Sequence, residues 1–201
     1  MGTDMDGGIE SREPGHPWEL EADLMDFRLG RDQTAWGALW NCGGYEILDP
    51  LFGDRGLPDD ASESIREAAG EEWQWSHTWA TWAELVALDW DAPLSPDPAW
   101  GYAGRWRRES SGELTLHDVV PASRALAEEA SVAFGSDSIL APAEWPPGGE
   151  VPLDGFVHRP VRLTLRMLAE HDSRWAPVWT AMRDLAATYG TESVRIVVWC
   201  W

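Results

Sequence analysis

The chain has 201 residues, a formal charge of −20 and no lysine, so its fifteen formal cations are all arginines. That balance works against nucleic acids and anionic membranes as ligands, because both are held through cationic contacts to phosphate. With 44% hydrophobic and 25% charged residues, the composition is that of a globular protein long enough for one well-packed domain.

The first residues, MGTDMDGG, have neither a basic region nor an apolar run, and no secretory leader is expected from them. Gln33 to Asn41 (QTAWGALWN) reads as a helix with Trp36, Leu39 and Trp40 on one side, closed by Gly43 and Gly44. A second helix is expected from Pro58 to Ala69, where Asp59 and Asp60 suit the positive end of the dipole. Glu72 to His77 alternates, which places Trp73, Trp75 and His77 on one side of an extended segment. Thr81 to Trp90 is expected to be helical, with Thr81 and Glu84 as a capping box.

Two proline-rich loops, Ala92–Trp100 and Ala141–Pro152, divide the chain into three parts. Between them, Glu113 to Val119 alternates like a strand and Ser123 to Ala133 reads as a helix. Residues 160–171 fit both periods, and the reading favoured is a helix with Pro160 in its first turn. Ala176 to Tyr189 carries an apolar stripe at helical spacing and stops at Gly190. Ser193 to Trp201 (SVRIVVWCW) is β-branched and apolar, as in a strand buried on both faces. The expected fold is α+β: a single domain over 1–201, with a small sheet containing the C-terminal strand and several covering helices. Residues 91–160 stand out as a variable, loop-rich, insertion-like segment within it.

Few residues carry recognisable chemistry. Cys42 and Cys200 have no metal-ligand spacing; as a pair they could form one disulfide, but nothing else points to export, and they are expected as reduced thiols of a soluble cytoplasmic protein. No run approaches the roughly 18 apolar residues of a membrane span. Residues 71–90 (EEWQWSHTWATWAELVALDW) hold five of the fifteen tryptophans. Indoles at this spacing serve most often as core, but Trp73, Trp75, Trp79 and His77 are also candidates for a ligand-binding group. Arg31 beside Asp32, and Arg55 ahead of Asp59 and Asp60, are charged groups at turns or helix starts and are further binding candidates. Asp4 and Asp6 stand two apart, so that in a strand both carboxylates point the same way, as a hard cation requires. Arg105, Arg107 and Arg108 with Trp106 form the only basic cluster, which is expected to pair with internal acids.

Several stretches together resemble an uncharacterised family found in phage and bacterial genomes. Its members open MGCDIH, continue with an aromatic helix and RGLPDD, reach a GHSHSW-type segment before a helix, and end in a VRxVFWFDN-like strand. Here the matching stretches are MGTDMD at 1–6, RDQTAWGALW at 31–40, RGLPDD at 55–60, WSHTWATWAELVALDW at 75–90 and SVRIVVWCW at 193–201. Residues 91–160 take no part. In that family the cysteine, aspartate and histidine of the opening, with the later histidine, resemble a metal or catalytic constellation. In this sequence Thr3 stands at the cysteine position, Asp4 is kept, Asp6 replaces the histidine and His77 is kept. The resemblance thus implies Asp4, Asp6 and His77 as ligands of a divalent ion.

Three functions follow as expectations. The first is a non-enzymatic, phage- or mobile-element-type binding module that acts on a protein partner through its acidic surface. The second is a small metal-dependent, hydrolase-like enzyme built on Asp4, Asp6 and His77. The third is a small-molecule pocket lined by Trp73, Trp75, Trp79 and His77.

Overall fold

The computed structural model describes residues 3–31, 33–42, 50–94, 101–169 and 174–201. Its strands are β1 (Met5–Ser11), β2 (Glu19–Asp23), β3 (Trp75–Thr81), β4 (Tyr102–Arg108), β5 (Leu114–Pro121), β6 (Val151–Leu153), β7 (Phe156–Pro160) and β8 (Val194–Cys200). Its α-helices are α1 (Gln33–Trp40), α2 (Glu63–Ala68), α3 (Trp82–Ala87), α4 (Arg124–Phe134), α5 (Leu165–Ala169) and α6 (Ala176–Tyr189). The fold is mixed α+β, with two antiparallel four-stranded sheets in the orders β2-β1-β8-β3 and β5-β4-β7-β6. The chain forms two compact units: unit 1 is Met1–Trp90 with Ala169–Trp201, and unit 2 is Asp91–Leu168. Among the described residues no helix is long and apolar enough to cross a membrane.

In unit 1 the C-terminal strand lies inside the sheet, between β1 and β3, and every residue of it is buried. This placement explains its unbroken apolar run, since a strand covered on both faces has no solvent side to mark with polar residues. Val197 and Trp199 pack on Ala61, Ile65 and Ala69 of the α2 region. β1 makes room for that helix with glycine. A Cβ on Gly8 would sit 2.9 Å from the Ile65 Cδ1 atom, and one on Gly7 would overlap the Val197 carbonyl oxygen. A second aromatic group gathers around α1 and α6, with Trp175 stacked on Trp179 at 4.9 Å and Trp40 on Phe52 at 5.5 Å. Here the indoles are core: Trp36, Trp40, Trp175 and Trp199 are almost wholly enclosed.

Unit 2 packs α4 on its sheet through Ala103, Leu126, Ala130, Trp145 and Val151. α4 is held at both ends: the Ser123 hydroxyl accepts the Leu126 amide at 3.1 Å, and Gly135 closes the helix in the left-handed region. Gly104 lets β4 approach its neighbours, since a Cβ there would lie 2.7 Å from Val161.

Several expected elements shift. α2 begins at Glu63 rather than Pro58, because Ser62 caps it while Pro58 to Ala61 forms a turn. α3 has the expected capping box but ends at Ala87, and the Trp90 indole then donates to the Leu85 carbonyl oxygen. The segment before β3 is not uniformly extended: Glu71 to Gln74 forms a turn, and Ser76 has φ +50° at a bulge. Pro160 ends a strand paired with Ala103 instead of starting a helix, and the helical part of 160–171 is only Leu165–Ala169. Cys42 and Cys200 are joined in a disulfide, which corrects the expectation of reduced thiols; their Cα atoms are 5.9 Å apart. Asp32, the expected stop at Gly43 and Gly44, and residues 95–100 of the first proline-rich loop lie outside the described residues.

Candidate functional site

The three residues proposed as metal ligands are each engaged with protein atoms. Arg31 forks onto Asp4, with Nε to Oδ1 and Nη2 to Oδ2 both 2.7 Å. This hydrogen-bonded guanidinium holds the Asp4 carboxyl below the usual carboxylate range. Asp6 accepts the Gly7 amide at 2.7 Å, and burial, reinforced by the charge of Asp23, pushes its carboxyl up. His77 Nε2 lies 3.0 Å from the Ala69 carbonyl oxygen, and since a carbonyl only accepts, that nitrogen carries the proton. Among the described residues no group of three or more His, Cys, Asp or Glu side chains is gathered so as to hold a metal ion. The structure does not bring Asp4, Asp6 and His77 together as a ligand set.

Arg55 donates to Glu84 at 2.8 Å and lies over the rings of Phe52 and Trp79, at 4.8 Å and 5.3 Å. Burial raises the Glu84 carboxyl, but the Thr81 amide and hydroxyl and the Arg55 guanidinium outweigh it and hold it low. Trp79 is half-buried against the α2 core group. Arg55 and Trp79 therefore fasten the RGLPDD turn to α3, and Arg31 is occupied by Asp4.

The densest polar group in unit 1 is one that sequence reasoning passed over. Glu10 and Arg195 face each other across β1 and β8, and both are almost fully buried. Arg195 Nε donates to Glu10 at 2.7 Å, its Nη1 donates to Asp60 at 2.7 Å, and its guanidinium lies 3.9 Å from the Trp18 ring. The Trp18 indole N–H donates to Asp60, while Glu10 also accepts the Ser62 amide at the cap of α2. Burial raises the Asp60 carboxyl, but hydrogen bonds from Arg195 and Trp18 outweigh it and hold it low. An arginine inside the otherwise apolar strand sequence of β8 was the available signal, because an enclosed charge requires a partner.

Trp73, Trp75 and Trp201 differ from the other tryptophans among the described residues in that they face solvent, with 56%, 42% and 43% of their surface exposed. The Trp73 and Trp201 rings meet edge to face, with centroids 5.5 Å apart and planes at 79°. Trp75 is paired across the ladder with Cys200, the residue before Trp201, so the three indoles belong to one end of the sheet. The turn leading into this group carries Glu71 and Glu72, and α2 ahead of it carries Glu63 and Glu67, all exposed. Unit 1 as a whole has 24 acidic side chains against eight arginines, so it holds most of the chain's negative charge.

Unit 2 carries a cleft of about 670 Å³ lined by Trp145, the Pro146–Gly149 turn, Glu150 and Arg159. Arg159 is paired with Glu150 and lies 5.5 Å from the Trp106 ring. Arg105 of the RWRR cluster pairs with Asp118, at 2.6 Å from Nε to Oδ1, in line with the expectation of internal acids. No family model, no curated protein and no solved structure matches the chain.

Proposed function

We propose that this protein is a non-enzymatic binding module that docks a protein partner through the exposed indoles of unit 1. One observation carries the reading: Trp73, Trp75 and Trp201 stand out of a strongly acidic unit whose remaining large aromatics are mostly enclosed. Exposed indoles are costly in water and are the side chains that most often anchor protein interfaces. The surrounding carboxylates favour a partner with a basic surface and speed its encounter. The resemblance to the phage and bacterial family belongs to the same proposal. Its RGLPDD and WSHTW segments supply the Arg195 network and the strand that bears Trp75. Disulfides are rare in a reducing cytosol, so the Cys42–Cys200 bond weighs against a cytoplasmic placement.

The metal-dependent enzyme has less support, because its ligands are tied to Arg31, Gly7 and Ala69. The test compares three immobilised forms with the same lysate: the wild type, the Trp73→Ala/Trp201→Ala variant, and the Asp4→Ala/His77→Ala variant. The reading requires one protein retained by the wild type and by Asp4→Ala/His77→Ala, lost from the tryptophan variant, and released by high salt. Retention by the tryptophan variant at wild-type level would remove the indole surface from the account.

A further inference from the structure

We infer that the Trp73/Trp75/Trp201 surface takes an arginine side chain of the partner, an inference that rests on the docking role just proposed. The Trp73 and Trp201 rings are nearly perpendicular and keep about half of their surface open to solvent. A guanidinium stacks on an indole face through the ring quadrupole, and its five N–H groups need acceptors around the rim. Glu72 is the residue next to Trp73, with Glu71 beyond it, and consecutive Cα atoms are about 3.8 Å apart. Both side chains are exposed and long enough to turn a carboxylate towards a guanidinium resting on the Trp73 ring.

The fold already contains a filled example of this chemistry. Arg195 lies 3.9 Å from the Trp18 ring while its nitrogens donate to Glu10 and Asp60. Arg12 lies 4.4 Å from the same ring and also reaches Asp60. The exposed group presents the same components, indole face and carboxylate, at the surface. Charge complementarity selects the occupant: α2 and its exit carry Glu63, Glu67, Glu71 and Glu72 against the single Arg66. An acidic or purely apolar segment would leave those carboxylates uncompensated or desolvated. Arginine is preferred over lysine because its planar head can stack and fork at once.

The experiment is an NMR titration of the full chain, following the indole N–H signals of Trp73, Trp75 and Trp201. The probes are three nine-residue glycine–serine peptides whose central residue is arginine, citrulline or leucine. Citrulline keeps the shape of arginine and removes its charge. The arginine peptide is expected to bind about fivefold to thirtyfold more tightly than the citrulline peptide. That difference is expected to shrink in 0.5 M salt and to vanish in Trp73→Ala/Trp201→Ala, a variant of exposed residues whose fold circular dichroism would verify. If arginine and citrulline peptides bind alike through these indoles, the arginine inference falls while the docking surface stands. If the arginine peptide binds the tryptophan variant unchanged, or if no peptide moves the three signals, the inference and the docking reading fall together. If the protein alone sediments as a dimer that protects the three indoles, a second copy is the occupant and the arginine inference is overturned.

Discussion

Glu10→Ala removes one side of an ion pair that has no access to water. Glu10 accepts two hydrogen bonds, from Arg195 Nε at 2.7 Å and from the Ser62 amide at 2.7 Å. Hydrogen bonds to a charged group are worth roughly 1.5–3 kcal/mol each, and breaking a buried pair from one side costs about 3–5 kcal/mol. Asp60 still neutralises Arg195 in the variant, so the expected loss is about 3–5 kcal/mol rather than more. At roughly 2–4 °C per kcal/mol for a chain of this size, that lowers the melting temperature by about 6–20 °C. Urea unfolding followed by tryptophan fluorescence measures it directly, with the midpoint falling and the slope unchanged. The companion variant Glu10→Met/Arg195→Met replaces both charges with apolar volume, and should be less destabilised than Glu10→Ala. A loss below about 1 kcal/mol in Glu10→Ala, or a double variant worse than the single, would refute the claim that this pair is enclosed and mutually dependent.

Asp60 adds a pH dependence to the same network. Its folded pKa lies below its unfolded value, so its contribution is complete above about pH 4 and is lost as pH falls through the lowered folded value; acid titration of unit 1 should steepen there, and Asp60→Asn should flatten it. Asp6 runs the other way: its pKa is raised by burial, so its ionisation costs more in the folded than in the unfolded chain, and stability is lost as pH rises through the raised folded value. Asp6→Asn keeps the acceptor for the Gly7 amide and should raise the unfolding midpoint at pH 7, with the gain disappearing towards pH 4. Thr81→Ala removes the cap of α3 and should cost about 1 kcal/mol in urea unfolding. The Cys42–Cys200 bond spans 158 residues, and chain entropy assigns it about 5 kcal/mol. Denatured, unreduced protein should show no free thiol by colorimetric titration, and Cys42→Ser should unfold at lower urea than the wild type.

The parts of the fold that depend on local signals were legible in the sequence. Thr81 with Glu84, Ser123 with Leu126, and the stop at Gly190 each place a helix end through one side chain or one backbone conformation. β8 was legible because burial on both faces forces an apolar run. β1 was not, since its two glycines weaken any strand pattern, and they are there to admit α2 and the Val197 carbonyl. β4 and β7 were missed because Arg105, Arg107 and Arg159 sit on strands whose charges are matched by Asp118, Glu150 and aromatic rings. In the candidate site, composition singled out Trp73 and Trp75 but could not separate them from the enclosed tryptophans. Trp201 joins them only through the β3–β8 register, a pairing between residues more than a hundred positions apart. The disulfide escaped for the same reason, because only the folded sheet brings Cys200 to the end of α1.

The position of β8 also sets an order of assembly. Unit 2 is continuous in sequence, so all its strands exist once residue 168 has been made. Unit 1 is not: β1 and β3 form no ladder with each other and must wait for residues 194–200 to arrive between them. Until then, two strands with apolar residues stand with open edges, the condition in which chains most readily pair with the wrong partner. The network around Arg195 is completed by the same late strand, so the glycines of β1 and the carboxylates of Glu10 and Asp60 are prepared long before the residue that joins them. A ribosome-bound chain halted before residue 194 would therefore hold β1 and β3 as separate pieces, open to proteases and chaperones, until β8 arrives to join them.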